Sequence, residues 1–444
     1  MNVGSSGDFG GGAAAAGSGM PLKAKPTSER RKGLLRLGFS TGTAAVAAAR
    51  AALRYRCTGV LPSTVAVRLN AGYYLPVIIC DGGDADEESW ACVVKDGGDD
   101  PDVTHGAEIV ARLRCLPNRA TGLLGTFGLH SKGAAALGLE VLRSMDPLVC
   151  LVGGRGVGRV TKAGLPVAPG EPAVNPGPRE MMAVNLKEEL LASSGRGLPS
   201  FHSALSWNPP AAPYVLMGEP GGEWVMEVTI EVPEGERLAR QTLNGRLGVL
   251  GGISILGTTG LVRPFSHEAY EETIQAELSV ARSNGCRAVV LSTGGKSERW
   301  AQALLGSWPV EAFVQVADFF AFSVREACRM GFGGVVHSVF FGKAVKMAQG
   351  HEYTHARKNR MDLGPLSALC RRRGHPARLC DEIDGANTAR QALEILLREG
   401  ARDLVLQVAE GAVDASYRMA EERMSVRLLL FDYDGRLLAD VKRP

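Results

Sequence analysis

The chain has 444 residues, 45% of them hydrophobic and 22% charged, and a formal net charge of only +3 at pH 7. That length supports two or three domains, each with its own core. The balance of 50 basic against 47 acidic residues argues against a nucleic-acid partner, and no apolar run is long enough to make a membrane partner expected.

Residues 1–33 open Gly/Ala-rich, without the basic start and apolar core of a signal peptide; they read as a disordered tail, or as extra translated sequence upstream of Met20. GFSTGTAAVAAARAAL, from Gly38 to Leu53, is a polar turn entering an alanine-rich helix. Strands follow at Val65–Leu69 and Leu75–Ile79 around Asn70-Ala71-Gly72, with a third at Trp90–Lys95. In the next turn, KDGGDDPDVTHG, Thr104 is expected to cap a helix from His105 to Leu113. Leu148–Val152 is a strand feeding the Gly153–Gly158 loop, Lys162–Pro178 is proline-rich, Arg179–Leu191 is helical, and Trp224–Val232 is a strand. Leu113–Pro147 and Ser193–Gly222 read as insertions.

From Leu247 the pattern changes to alternation: strands 247–250, 287–292, 311–316 and 334–339 with helices 267–283, 298–305, 318–330 and 342–349. Such alternation is what a parallel sheet with crossover helices requires, and its ligands sit beyond the carboxyl ends of the strands. A helix at Ala389–Arg398 and strands at Val426–Asp432 and Leu437–Val441 close the chain. The expected fold is therefore α/β: an N-terminal α+β two-layer domain over 34–244, then a Rossmann-like, doubly wound, mostly parallel sheet domain over 245–444.

Arg246–Pro264, RLGVLGGISILGTTGLVRP, is the densest signal. Glycines at Gly251, Gly252, Gly257 and Gly260 allow close approach to bare N–H groups, and Ser254, Thr258 and Thr259 add hydroxyls, so the segment reads as a small-ligand cradle between a strand and a helix. A ligand-free tight turn is the alternative. Gly252 and Gly257 have Walker A spacing, but Thr258 stands where the lysine belongs, which excludes NTP hydrolysis here. Gly154-Arg155-Gly156-Val157-Gly158 runs on into Arg159 and lacks the rest of a dinucleotide fingerprint. Nine scattered cysteines without a CxxC pair suit a reducing cytoplasm. His351 and His355 stand four residues apart, but no metal site is expected.

Several of these segments together resemble the cobalt-precorrin-5B C1-methyltransferases, the CbiD family of the anaerobic cobalamin pathway. The resemblance runs from about Leu35 to Leu438 and is carried by GFSTGTAAVAAARAAL, KDGGDDPDVTHGAEIV, GGRGVGRVTKAGLPVAPGEPAVNPGPREM, LGVLGGISILGTTGLVRP, VVLSTGGKSE, FVQVADF and GHEYTHARKNRMDL, in the family's order. It departs from the pattern at Ala44, where members often carry Cys, at His105, where Asn is usual, and at Arg155, where an acid is common.

The resemblance implies methyl transfer from S-adenosylmethionine to ring carbon 1 of a cobalt-containing tetrapyrrole. The donor is expected at Gly251, Gly252, Ser254, Gly257, Thr258, Thr259 and Gly260, with Thr293 and Gly294 flanking it and Asp318 either touching it or capping a helix. The fringe carboxylates of the tetrapyrrole call for fixed cations, for which Arg159, Lys162, Arg179 and Arg263 are the candidates. Thr41, Thr43, Lys95, Thr104 and His355 join them as expected substrate contacts. Proton handling is assigned to Asp102 and His105. If Thr104 caps a helix, the Asp102 carboxylate is left free among Asp99 and Asp100, where crowding raises a carboxyl pKa; a solvated acidic turn is the bland alternative. The competing function is a non-catalytic tetrapyrrole-binding subunit that hands its ligand to another enzyme, and a homo-oligomer is left open.

Overall fold

The computed structural model of this protein describes residues 35–85, 88–117, 148–193, 212–217, 224–356 and 361–444. Helix α1 covers Thr41–Thr58, capped at its start by the Ser40 hydroxyl, which accepts from the Thr43 N–H. It is buried on every side from Ala44 to Leu53. A helix enclosed all round needs small apolar side chains, and the alanine run supplies them. The hairpin strands β1 (Thr64–Arg68) and β2 (Tyr74–Ile78) pair as expected. Helix α2 (Pro176–Ser193) lies along α1. Arg50 and Arg54 of α1 donate to the buried Glu189 of α2 at 2.8 and 2.6 Å.

The first core lies between these helices and a six-stranded sheet. Its strands are β3 (Asp81–Ala85), β4 (Glu88–Val94), β5 (Glu108–Pro117), β6 (Leu148–Gly153), β7 (Tyr214–Met217) and β8 (Trp224–Glu231), in the order β7-β6-β8-β5-β4-β3. Only β6 and β8 are parallel neighbours. The helix expected at 105–113 is corrected here, because β5 is a strand. Ile109, Ala111, Leu113 and Cys115 alternate into the core, and Arg112 and Arg114 donate across to Glu231 and Glu227 on β8 at 3.0 and 2.8 Å. A period of two buries one face of EIVARLRC against α1, and that tertiary gain overrides its helix propensity. Of the two expected insertions, residues 118–147, 194–211 and 218–223 lie outside the described residues, as does the tail 1–34, while 214–217 forms an edge strand.

The second core surrounds a five-stranded sheet. Its elements are α3 (His267–Ser283), β9 (Ala288–Ser292), α4 (Gly295–Leu304), β10 (Phe313–Gln315), α5 (Phe320–Arg329), β11 (Gly334–Phe340), α6 (Phe341–Ala348), α7 (Gly364–Arg372), α8 (Ala377–Asp384), α9 (Ala389–Arg398), α10 (Arg402–Met419), β12 (Ser425–Phe431) and β13 (Leu437–Arg443). Strand order is β10-β9-β11-β12-β13, parallel except for β13. The order in which the chain adds strands reverses between β9 and β11, where open α/β sheets form a ligand crevice. Helices α7, α8 and α10 have no counterpart among the expected elements. They bury Leu366, Leu379, Ile383, Leu404 and Val408 in this core.

The strand expected at 247–250 is not part of this sheet. Only Val249–Leu250 is extended, antiparallel to Arg159–Val160, while Gly252–Ile253 runs parallel to Gly156–Val157. A Cβ on Gly252 would stand 2.1 Å from the Gly156 carbonyl oxygen, so this pairing needs glycine. Ile253 and Ile255 belong to the first core, and the second begins at Ile274. Arg246 ties the two together. Its guanidinium donates to both Glu298 oxygens at 2.8 and 3.0 Å and to the Phe313 carbonyl at 2.5 Å, and lies 3.3 Å from Glu277. Burial pushes the Glu277 carboxyl up to about 7 against the pull of Arg246 and the Gln315 N–H.

Candidate active site

Four of the sequence motifs close around the first turn of α1. The Ser40 N–H donates to the Gly260 carbonyl at 2.9 Å and the Gly42 N–H to that of Leu256 at 3.0 Å. Thr41 Oγ1 accepts from the Leu256 N–H at 2.9 Å and donates to the Ser254 carbonyl at 3.2 Å, and Thr43 Oγ1 donates to Gly260 at 2.7 Å. Residues 254–260 thus wrap the helix start, and both threonines are buried as clasps rather than facing a ligand. Gly257 has φ 130°, and a Cβ there would lie 2.3 Å from Ser40 Oγ. Its glycine is explained by chain-to-chain approach. The exposed remainder of the expected cradle is Gly251, Thr258 and Thr259.

The segment from Val174 to Arg179 joins the same place. Asn70 Nδ2 donates to the Thr258 carbonyl at 3.1 Å and to that of Gly177 at 3.3 Å, and the Asn175 N–H donates to Ile255 at 2.9 Å. The β4–β5 hairpin loop arrives from another side. The Phe39 N–H donates to the Asp96 carbonyl at 2.8 Å, and Asp100 Oδ1 accepts from the Phe265 N–H at 3.1 Å.

Within that loop Asp102 is not free. Its Oδ2 accepts from the buried Lys95 ammonium at 2.5 Å, and its Oδ1 accepts from both the Thr104 N–H and hydroxyl at 2.7 Å. Burial pushes the Asp102 carboxyl up, but Lys95 and Thr104 together outweigh it and hold the group below the ordinary carboxylate range. This corrects the premise that Thr104 caps a helix and leaves Asp102 as an acceptor near neutral pH; Lys95 and Thr104 are its partners. His105 is exposed, and its Nδ1 accepts from the Gly97 N–H at 3.0 Å. That nitrogen also lies 3.7 Å from Asp96 Oδ1.

The four expected cations divide. Lys162 pairs with Glu311 at 2.7 Å, and Arg179 donates to the Val174 carbonyl at 2.7 Å and to Glu171 at 2.6 Å, so both hold the fold together. Arg159 and Arg263 are exposed on the surface.

At the carboxyl edge of the five-stranded sheet Thr293 and Gly294 lie where the sequence pattern places them, after β9. Asp318, after β10, neither caps a helix by its side chain nor stands open. It meets Lys343 of α6 and accepts from Thr354 Oγ1 at 3.0 Å, while Lys346 donates to the Thr354 carbonyl at 2.9 Å. Burial, with Lys346 beside it, lowers the Lys343 ammonium to about 8. His355 stacks against Tyr353 at 5.9 Å, and Tyr353, Phe319, Tyr270 and His267 continue the aromatic cluster, with Tyr270 and Phe319 stacked at 4.9 Å. Ser292 opens the Ser292–Ser297 loop expected at this edge, and its buried hydroxyl has no partner, whereas Lys343, Thr354 and Asn70 escaped the sequence reading. Only their place at strand ends and turns marks them, and that is a property of the sheet order. Among the described residues no cluster of three or more His, Cys, Asp or Glu side chains is placed to hold a metal ion, and no helix is long and apolar enough to cross a membrane.

Residues 27–264 match the CbiD family, ending where the first core ends, and residues 353–442 match the CbiD C-terminal domain. The cobalt-precorrin-5B C(1)-methyltransferase of Nitratidesulfovibrio vulgaris is 40% identical over 422 residues, which cover 93% of this chain and 94% of that one. That of Geobacillus kaustophilus is 36% identical over 409 residues, covering 92% and 95%. A crystal structure of the cobalamin biosynthesis protein CbiD from Archaeoglobus fulgidus is 24% identical, and the match covers 73% of this chain and 84% of that chain with a TM-score of 0.34. With matches reaching both cores and relatives aligned over nearly their whole length, this chain belongs to the CbiD family.

Proposed function

We propose that this protein transfers a methyl group from S-adenosylmethionine to carbon 1 of cobalt-precorrin-5B. The observation that carries the proposal is the 40% identity to a methyltransferase of that name over 93% of the chain. The convergence of four separate family motifs on one turn of α1 supports it. Thr258 and Thr259 stay exposed where these motifs meet.

S-adenosylmethionine supplies a methyl group on a cationic sulfur, so catalysis rests mainly on alignment. The carboxyl edge of the five-stranded sheet suits this donor. Thr293 and Gly294 lie at the reversal point beside a buried, unpartnered Ser292 hydroxyl, and a Cβ on Gly294 would meet no atom within 4 Å, which leaves room for a ligand. We place the donor there, with the exposed Thr258 and Thr259 on the tetrapyrrole side. Asp318 and Lys343 hold the Tyr353–His355 segment over the edge. Arg159 and Arg263 are the cations proposed for the substrate carboxylates, and His105 is proposed alongside them. Asp102, committed to Lys95, orients the loop that carries His105.

Incubation of the purified protein with cobalt-precorrin-5B and methyl-labelled S-adenosylmethionine should place the label on the macrocycle. No transfer with authentic substrate, together with tight macrocycle binding, would mark a binding subunit instead.

A further inference from the structure

Helix α4 starts on the glycine pair Gly294-Gly295, and its N-cap Gly294 offers no side-chain cap. Gly294 accepts from the Glu298 N–H at 3.1 Å, but among the described residues no acceptor meets the N–H groups of Gly295, Lys296 and Ser297. A first turn of this kind is a ready site for a negative group. An independent observation points the same way. Ser292 is completely buried, and its hydroxyl has no hydrogen-bond partner, although buried hydroxyls are nearly always bonded.

The sheet register says where that hydroxyl points. Ser292 is paired with Ser338 on β11 and with Gln315 on β10, and paired residues of parallel strands face the same side. Ser338 Oγ donates to the Ser297 carbonyl at 2.7 Å, which identifies that side as the one carrying the first turn of α4. Gln315 agrees, since its amide nitrogen is 3.8 Å from where a Cβ of Gly295 would stand. The acid of the helix, Glu298, is paired with Arg246, which also faces Glu277 at 3.3 Å.

We infer that Ser292, Gln315 and the free N–H groups of Gly295–Ser297 form a carboxylate subsite that takes the amino-acid end of the methyl donor. This rests on the methyltransferase reading and narrows it. It assigns the orphan hydroxyl a ligand and separates the donor's amino-acid end from its nucleoside end.

The test is calorimetry with S-adenosylhomocysteine, which has the carboxylate, and methylthioadenosine, which lacks it, combined with thermal melting. Ser292→Ala removes a hydroxyl that is unbonded in the free protein, so the melting temperature should hold or rise. Losing one charge-assisted bond should weaken S-adenosylhomocysteine about tenfold and leave methylthioadenosine unchanged. Gly295→Pro deletes one N–H at the first helical position, where proline is tolerated, and should act likewise. Unchanged S-adenosylhomocysteine affinity in both variants overturns the subsite while leaving the donor reading standing. An equal loss for both ligands overturns the carboxylate assignment in favour of a ribose contact. A parent protein that binds neither ligand removes the donor reading and the subsite together.

Discussion

Replacing Asp102 by Asn should damage folding before it damages chemistry. The Lys95 side chain is 1% exposed and Asp102 22%, and their contact spans 2.5 Å. In the variant the carbonyl oxygen of the new amide can keep the Thr104 donors, but its NH2 then faces the Lys95 ammonium, donor against donor. Removing one partner of a buried ion pair costs about 3–5 kcal/mol. The partial exposure of Asp102 puts this case at the lower end, about 3 kcal/mol. Urea unfolding of the parent, Asp102→Asn, Lys95→Met and the double variant measures it, and the double variant should be less destabilised than the two single losses combined. The pH dependence has a definite sign. A carboxyl held below its unfolded pKa stabilises the fold above about pH 4 and loses that contribution as pH falls through the folded value. The gap between parent and Asp102→Asn should therefore be full at neutral pH and narrow below about pH 4. An Asp102→Asn protein within about 1 kcal/mol of the parent, but with slowed methyl transfer, would refute the ion-pair reasoning and restore Asp102 as a free acceptor.

Gly257→Ala should lower the urea midpoint, by about 1–3 kcal/mol in stability, because its Cβ meets Ser40 Oγ at 2.3 Å; weaker ligand binding with unchanged stability would show a cradle glycine instead. Arg246→Ala strands the buried Glu298 and Glu277 and should cost about 3–5 kcal/mol by denaturant titration. Glu277 is already raised to about 7, so it contributes stability at acid pH that is lost as pH rises through that value, and the Arg246→Ala defect should deepen from pH 6 to pH 8. Arg159→Ala should weaken tetrapyrrole binding with an unchanged melting temperature, whereas Lys162→Ala, which breaks the pair with Glu311, should do the reverse; the opposite pattern would exchange their roles.

Local pattern was sufficient for α1, whose alanine run suits a helix enclosed all round, for the β1–β2 hairpin, and for the alternation of strands and helices from 267 to 349. The family membership was equally legible, since it rests on long ordered motifs. β5 was not legible. EIVARLRC carries apolar residues at spacings that suit either a helix or a strand, and the choice fell to α1 on one side and Glu227 and Glu231 on the other.

The glycines of 251–260 show the same division more sharply. Their clustering by itself marked a place where backbones come close. Whether the approaching partner is a ligand or another stretch of chain depends on what lies 2–3 Å away, and only the tertiary structure puts Ser40, Gly156 and Leu69 there. Charge behaves alike. A lysine or aspartate in a loop reads as available until a partner distant in sequence is brought to it, as Glu311 is to Lys162 and Lys343 to Asp318. The sequence alone determined the family and the parallel sheet. Which hydroxyl is left without a partner, and which cations are already spoken for, was decided by contacts between residues far apart in the chain.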